Sequence, residues 1–302
     1  MFRVQSRAKP IVRWNIGGNV SELGYDILKE SIYVSREVFD KYQCRYVVCY
    51  NSLSKSQWLE INDLRLLGVE VRECAWEECP IPFQSNLSPR RNDGSFSDDT
   101  SNIGGTLWKI TPSRLDINCH EIVMDNDIIV LNDFPELESF FSSSKTLVCA
   151  NNARFYGRYE HLFKHGECFN AGFTGLPPGF DYSQAIFEVW DQNERLKELT
   201  YPDEQAISLA ALRSCDHIVV PQGVELELFT GGRLVEPWPN LRWEPYTFNG
   251  NENILHFVQA NRYAKDQHQG WSAYYKEIRP TKTHTSKYAL ENALQVAHCP
   301  IL

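Results

Sequence analysis

Two aspartates follow an apolar segment in the stretch VMDNDIIV, which covers residues 123–130. The apolar residues before Asp125 predict a buried β-strand that ends at the first of the two acids. Carboxylates in such a place are costly unless they are solvated, paired or bound to a cation. In an extended backbone Asp125 and Asp127 share a face, and two carboxylates suit Mg²⁺ or Mn²⁺ with coordination positions left for substrate phosphates. The alternative is a solvated turn in which the aspartates cap a helix.

The elements before these aspartates alternate between predicted strands and helices. The predicted strands cover 11–16, 45–51 and 69–74, and the predicted helices cover about 21–42 and 54–67. This order predicts an α/β fold with a parallel, Rossmann-like sheet and right-handed crossovers. Open sheets of this kind bind ligands at the carboxyl ends of their strands, where Asp125 lies.

The pattern is interrupted at about 79–105 by a segment rich in Pro, Ser, Asn and Asp, which predicts either a surface excursion or a flexible lid over a site. Further helices are predicted at about 106–117, after Asp133, at about 183–199, from Pro202 and at 286–298. Further strands are predicted at 121–125, 146–150, within 167–180, at 217–221 and at 254–258.

The composition narrows the classes of function. The chain has 302 residues, of which 42% are hydrophobic, so it can bury a substantial core. A formal net charge of −9 argues against a nucleic-acid partner and against general binding to anionic membranes. The nine cysteines form no CxxC pair, and the amino-terminal residues contain no apolar signal segment. These features predict a cytoplasmic protein with free thiols.

Six segments occur in the order found in the GT-A-fold glycosyltransferases, and most closely resemble glycosyltransferase family 8, which includes glycogenin and bacterial lipooligosaccharide galactosyltransferases. They are IVRWNIGGN, TPSRL, VMDNDIIV, CFNAGF, YPDEQAIS and ILHFV. The resemblance covers roughly residues 10–265. It implies a GT-A fold with a mainly parallel mixed sheet in a nucleotide-sugar transferase domain at 1–265. Residues 266–302 would form an extension packed on or near the acceptor side.

The resemblance implies a metal site made of Asp125, Asp127 and His256, with Mn²⁺ or Mg²⁺ as the cofactor. In such sites the first aspartate also contacts the ribose, and the second holds the cation with both oxygens. The alternative for His256, taken alone, is a hydrogen-bonded core histidine.

The resemblance also implies the residues that surround the nucleotide-sugar donor. The base would lie beside Asn15, Gly17 and Gly18, although the glycines could equally make a tight turn. The diphosphate would face Arg114, with Lys109 and Lys265 as further cationic candidates. For Arg114 the alternative is a solvated helix residue. The remaining candidates for donor contacts are Asp125, Asn126, Asn170, Ala171 and Gly172.

The segment YPDEQAIS carries the candidate catalytic residues. Asp203 could bind sugar hydroxyls or could be a helix N-terminal charge. Either Glu204 or Gln205 takes the place of a glutamine in the family motif, and the sequence leaves this register open.

The function implied is the transfer of a hexose from a nucleotide diphosphate sugar to an acceptor hydroxyl with retention of configuration, and the expected donor is a UDP-hexose. The acceptor could be a saccharide, a protein or a small molecule, with at most peripheral contact with a membrane. The alternatives are an inverting GT-A enzyme, a sugar-nucleotide-forming nucleotidyltransferase, and a catalytically silent member that binds a sugar nucleotide or a partner protein.

Overall fold

The structure is a computed structural model that describes ten stretches of the chain. They are residues 8–17, 20–51, 55–81, 108–150, 157–164, 166–193, 203–229, 232–236, 242–258 and 267–280. The candidates Gly18 and Lys265 lie outside these stretches, as do nearly all of the segment at 79–105 and the helix predicted at 286–298.

A seven-stranded sheet forms the centre of the fold, with the strand order β3-β2-β1-β4-β7-β6-β8. Its strands are β1 (Ile11–Gly17), β2 (Arg45–Asn51), β3 (Glu70–Glu73), β4 (Glu121–Asp125), β6 (Thr146–Ala150), β7 (Phe169–Leu176) and β8 (His217–Val220). All neighbours pair in parallel except β7, which is antiparallel to both β4 and β6. The predicted mainly parallel mixed sheet is therefore confirmed, and most of the predicted strand bounds match within one or two residues.

Helices cover both faces of this sheet. They are α1 (Glu22–Phe39), α2 (Lys55–Asn62), α3 (Pro135–Phe141), α4 (Tyr182–Asp191) and α5 (Asp203–Arg213). Ser21 caps α1, since its hydroxyl accepts a hydrogen bond from the Gly24 amide. After α2 a short 3₁₀ segment ends at Gly68, whose left-handed φ of 73° suits a glycine. Buried side chains of α1 and α2 pack on one sheet face, and those of α4 and α5 pack on the other.

A second sheet of five strands was not predicted as a unit, and its strand order is β11-β10-β9-β12-β5. Its members are β5 (Ile128–Val130), β9 (Glu225–Phe229), β10 (Gly232–Glu236), β11 (Arg242–Glu244) and β12 (Ile254–Phe257). Asp125 is the last residue of β4 and Ile128 is the first of β5, so the chain crosses from one sheet to the other at 126–127. The DND stretch is thus the junction between the two sheets.

One helix predicted from the sequence is wrong. In place of a helix at 106–117, the described part of this segment has a single 3₁₀ turn at Trp108–Ile110 followed by bends. Pro112 explains the difference, because it has no amide hydrogen to donate and it disfavours helical geometry at the preceding residue.

Buried Arg13 on β1 fastens this irregular segment to the sheet. Its guanidinium donates to the backbone carbonyls of Pro112 and Ser113 and lies 2.9 Å from the Glu121 carboxylate. Both members of the ion pair are fully buried. Glu121 also accepts a hydrogen bond from the Leu115 amide. The network therefore fixes the chain between Lys109 and the start of β4.

The carboxyl-terminal part of the described chain forms α6 (Gln269–Glu277), which was not predicted. Trp271 and Tyr274 of this helix pack in one apolar cluster with residues of α1, β9 and β12. The hydroxyl of Tyr274 donates to Glu30 of α1. Residues 267–280 therefore belong to the core around the second sheet, and the predicted placement of 266–302 at the acceptor side stays a prediction.

Two further observations bear on the predictions from composition. All eight cysteines that the structure describes are free thiols, in agreement with the prediction. A bilayer crossing takes about 20 apolar residues, and no helix in the described part of the chain has that combination of length and apolarity.

Replacing Arg13 by Met should lower the free energy of unfolding by about 3–5 kcal/mol, because Glu121 would keep a buried charge without this partner. The matched control is Arg45→Met, which breaks an exposed pair with Glu70 and should cost about 1 kcal/mol or less. Chemical denaturation of both variants measures the difference. Equal small losses would contradict the assignment of Arg13 as a structural clamp.

Candidate active site

The site lies between the two sheets, at the carboxyl end of β4. Asp125 ends that strand, and Asp127 follows it immediately before β5. The backbone carbonyl of Asp127 accepts a hydrogen bond of 2.8 Å from the Phe257 amide, which ties the junction to β12. The aspartates therefore lie at the end of the sheet where parallel folds bind ligands.

The strand β12 brings His256 to this junction. His256 pairs with Ile128 of β5 on one side and with Glu227 of β9 on the other. Its Nε2 lies 3.5 Å from Oδ1 of Asp127. Asp125, Asp127 and His256 each offer one ligand atom, and these three atoms lie within 4.8 Å of one another. The structure thus brings together the three side chains for which metal binding was predicted, and their role as ligands stays a prediction.

The environment of these groups is unfavourable for isolated charges. Asp127 and His256 are 8% and 6% exposed, and Oδ1 of Asp127 is buried with no hydrogen-bond partner. Burial opposes a charged imidazole, but the carboxylates of Asp127 and Glu225 outweigh it and raise the pKa of His256 well above its ordinary value. Burial raises the pKa of Asp125, an effect that the nearby Lys109 ammonium counteracts.

Lys109 forms an ion pair with Asp125, with its Nζ 2.6 Å from Oδ2. Among the described residues, Lys109 and His256 are the cationic groups within ion-pair distance of Asp125, Asp127 and Glu225. Three carboxylates thus face at most two positive charges in a largely buried place, and such an excess of negative charge is costly.

This arrangement fits a divalent cation. Carboxylate oxygens and an imidazole nitrogen form a donor set that Mn²⁺ accepts and that Mg²⁺ tolerates. The buried Oδ1 of Asp127 would gain a partner, and the excess negative charge would be neutralised.

Two buried glutamates at this site were missed in the sequence. Glu225 and Glu227 of β9 are both 7% exposed, and with His256 they form a second group of potential ligands. Oε1 of Glu225 lies 2.8 Å from Nδ1 of His256. The segment ELELF did contain a signal, since two acids at alternate positions share one face of a strand. Alternation of this kind is ordinarily interpreted as a strand with one solvated face.

Asn170 and Gly172 of β7 complete the surroundings of His256. The amide nitrogen of Asn170 donates to Glu227 at 3.1 Å, and its oxygen accepts from the Gly172 amide at 2.7 Å. A Cβ at Gly172 would lie 2.8 Å from Ile128 and 3.2 Å from the His256 ring. Gly172 is therefore required by the close approach of β7 to the second sheet.

Asn15 pairs in register with Asp125, and its amide nitrogen donates to the backbone carbonyl of Lys109. It therefore helps to hold Lys109 beside the aspartates. Gly17 is the last residue of β1. Asn126 is buried, and its amide nitrogen donates to the Gly24 carbonyl of α1 at 3.4 Å. None of these contacts tests a role in donor binding, which stays a prediction for all three.

The structure does not place Arg114 where a residue facing the donor was predicted. Its guanidinium donates to the backbone carbonyls of Asp116, Cys119, Leu176 and Phe180. It also lies 3.9 Å from Glu121, at the opposite end of β4 from Asp125 and about 13 Å along the strand. Four of its five N–H groups donate to these carbonyls, which does not favour contact with the donor, and its predicted role there stays a prediction.

The other predicted residues lie on β7 and α5. The side chain of Ala171 points away from that of Asn170 and packs in the apolar cluster beneath α4 and α5, which does not favour contact with a sugar. Asp203, Glu204 and Gln205 form the first turn of α5. Gln205 is half-buried, while the side chains of the two acids lie outside the described structure. The choice between Glu204 and Gln205 thus stays open.

The fold is that of a solved glycosyltransferase. The structure of galactosyltransferase LgtC in complex with donor and acceptor sugar analogues matches 92% of this chain and 95% of its own, with a TM-score of 0.52 and 14% sequence identity. This likeness shows that the chain has the GT-A glycosyltransferase fold.

Two other structures are less similar, and the fold assignment does not depend on them. Mouse xyloside xylosyltransferase 1 in its apo form covers 84% of this chain and 99% of its own, with a TM-score of 0.46 and 11% identity. The glycosyltransferase GlyE of Streptococcus pneumoniae TIGR4, also in its apo form, covers 73% and 46%, with a TM-score of 0.43 and 14% identity. No protein-family model and no curated protein sequence matches the chain.

Gly172→Ala should displace the His256 ring and weaken Mn²⁺ binding by about tenfold, as expected when the support of a ligand is disturbed. The matched control is Gly175→Ala, whose Cβ would lie 2.7 Å from both Leu147 and Phe140, away from the site. Overpacking should destabilise both variants by about 1–3 kcal/mol. Titration calorimetry with Mn²⁺ compares them, and equal affinities would contradict the placement of His256.

Proposed function

We propose that the protein is a metal-dependent glycosyltransferase that moves a hexose from a nucleotide diphosphate sugar, with UDP-hexose as the donor, to an acceptor hydroxyl with retention. The observation that carries the proposal is the convergence of Asp125, Asp127 and His256 within 4.8 Å at the carboxyl end of β4. The GT-A fold supports it, because the site lies where open α/β sheets bind ligands.

Asp125, Asp127 and His256 would hold Mn²⁺ or Mg²⁺, with Oδ1 of Asp127 and Nε2 of His256 facing each other across the site. The cation would supply Lewis-acid stabilisation of the charge on the departing diphosphate. Lys109 is 22% exposed and lies beside Asp125. Its ammonium would pair with a diphosphate oxygen once the Asp125 carboxylate binds the metal ion.

The transfer itself would follow a front-face route. The bond between the anomeric carbon and the phosphate oxygen breaks, and the acceptor oxygen bonds to the same face of the sugar. The proton of the acceptor hydroxyl passes to the departing phosphate. Glu204 or Gln205, in the first turn of α5, would stabilise the oxocarbenium-like centre, and Asp203 would bind sugar hydroxyls. Retaining glycosidases instead place a second carboxylate as nucleophile about 5 Å from the first.

The same proposal defines the acceptor by its reacting group, a hydroxyl. A hydroxyl on a saccharide, a protein or a small molecule would serve, and the net charge of −9 favours a soluble acceptor or one presented at most peripherally at a membrane. We place the protein in the cytoplasm, where its free cysteines would remain reduced.

Asp127→Asn should abolish the stabilisation that UDP and Mn²⁺ together give the wild-type protein, because it removes a negatively charged ligand. With Mn²⁺ present throughout and UDP at 100 times its dissociation constant, UDP should stabilise the wild type by about 2.7 kcal/mol. Turnover of UDP-hexose, by transfer or hydrolysis, should fall by about 100-fold or more, since the cation supplies several kcal/mol to the transition state. Thermal unfolding and UDP release measure the two effects.

The control for this variant is Asp181→Asn, which makes the same chemical change at the N-cap of α4, where Asn also caps well. It should leave both readouts unchanged. Metal-dependent binding of UDP without turnover of any hexose donor would favour a silent sugar-nucleotide-binding protein. Unchanged turnover in Asp127→Asn would refute the proposed role of the metal site.

A further inference from the structure

We propose that Glu225 is a positioning residue that holds the Nδ1–H group of His256, so that the Nε2 lone pair faces Asp127 and the cation. This inference rests on the proposed function, since it concerns the same metal site. The glutamate was not among the residues expected to act there, because the sequence pattern of β9 gave no reason to place it beside a histidine of β12.

The two ring nitrogens of His256 face different carboxylates. Nδ1 lies 2.8 Å from Oε1 of Glu225, and Nε2 lies 3.5 Å from Oδ1 of Asp127. Glu225 and His256 are both more than nine-tenths buried. A short contact between an imidazole nitrogen and a buried carboxylate requires a proton between them, because an ionised carboxylate only accepts hydrogen bonds. Nδ1 therefore carries a proton.

Asn170 is the other polar neighbour of Nδ1. Its amide nitrogen lies 3.0 Å from Nδ1 of His256. The orientation of this amide is fixed independently, because its oxygen accepts from the Gly172 amide and its nitrogen donates to Glu227. The shorter contact of Nδ1 is the one with Glu225, and an ionised carboxylate can only accept, so Nδ1 donates to Glu225.

A proton on Nδ1 determines whether Nε2 of His256 can bind a metal ion. A neutral imidazole carries one proton, so a proton on Nδ1 leaves Nε2 with the lone pair that binds a metal. In the other tautomer an N–H group would point at Asp127 and at the cation. A carboxylate behind a metal-binding imidazole also makes the ring a better donor and fixes its orientation.

Cys149 of β6 gives Glu225 a further neighbour. Burial and the Glu225 carboxylate raise the pKa of Cys149 well above its ordinary value, so the thiol stays protonated and donates to that carboxylate. Oε2 of Glu225 is buried and has no other hydrogen-bond partner. The thiol of Cys149 is thus a second donor to the carboxylate that faces Nδ1 of His256.

Three substitutions separate positioning from charge. Glu225→Met removes the acceptor and the charge but keeps the length of the side chain. Glu225→Asp keeps the charge but shortens the side chain by one methylene, which moves the carboxylate away from Nδ1 of His256. The matched control is Glu30→Met, which makes the same chemical change at a buried residue of α1 that accepts a hydrogen bond from Tyr274 and pairs with Arg279.

The measurement is the dissociation constant of Mn²⁺, obtained from the electron paramagnetic resonance signal of free Mn²⁺ in the absence of any donor sugar. The affinity should fall 10- to 100-fold in Glu225→Met and about tenfold in Glu225→Asp, and less than about threefold in Glu30→Met. In a His256→Ala background, Glu225→Met should cause no further loss, because the two residues act as a unit.

Equal affinities of Glu225→Asp and the wild type would overturn the inference, as would a loss in Glu30→Met as large as that in Glu225→Met. Glu225→Asp keeps the test valid if Glu225→Met does not fold, since it retains the buried charge. Failure of the proposed function would be visible separately, because the wild-type protein itself would then bind no Mn²⁺.

Discussion

One imidazole between two buried carboxylates is the interaction on which the rest of the site depends. His256 lies 3.5 Å from Asp127 and 2.8 Å from Glu225. His256 and Glu225 come from β12 and β9 of the second sheet, and Asp127 comes from the junction between the two sheets. Without a compensating charge, burying both acids would cost several kcal/mol for each of them. The imidazole supplies at most one positive charge, so a second cation at Asp125 and Asp127 would complete the balance.

The junction between the two sheets places this interaction at the carboxyl end of β4. The chain leaves the first sheet at Asp125 and enters the second at Ile128, so both aspartates lie between the sheets. At the other end of the same strand, Glu121 is held by Arg13 and lies near Arg114. Charged groups therefore lie at both ends of β4. Those at the amino end, Arg13 and Glu121, stabilise the fold. Those at the carboxyl end form the candidate site.

The sequence allowed much of the first sheet to be predicted, because its strands are continuous apolar runs bounded by turns and helix caps. Asp125 and Asp127 were recognised because acids directly after an apolar run need solvent, a partner or a cation to offset the cost of their charge. The second sheet was harder to predict because its strands are short and because β5 pairs with β12, which lies far along the chain. Glu225 and Glu227 were missed because an alternating strand gives no sign of which face is solvated.

Arg114 shows the opposite case, in which the structure gives structural contacts to a residue that a motif indicated for donor binding. The TPSRL segment resembles a family motif on a helix that faces the donor. In this protein Pro112 interrupts that helix, and the guanidinium of Arg114 donates to backbone carbonyls. Lys109, the weaker candidate in the sequence, is the cation that the structure places beside Asp125. Local sequence does not reveal which of two cations faces a ligand, since tertiary contacts decide it.

The central claim is that Asp125, Asp127 and His256 bind one cation that holds a nucleotide diphosphate. The most direct measurement is a crystal structure of the protein soaked with UDP and Mn²⁺, with anomalous scattering used to locate the manganese. We expect one anomalous peak bonded to Asp127 and to Nε2 of His256, with diphosphate oxygens on its remaining positions. An anomalous peak elsewhere, or UDP bound without manganese at these residues, would contradict the account.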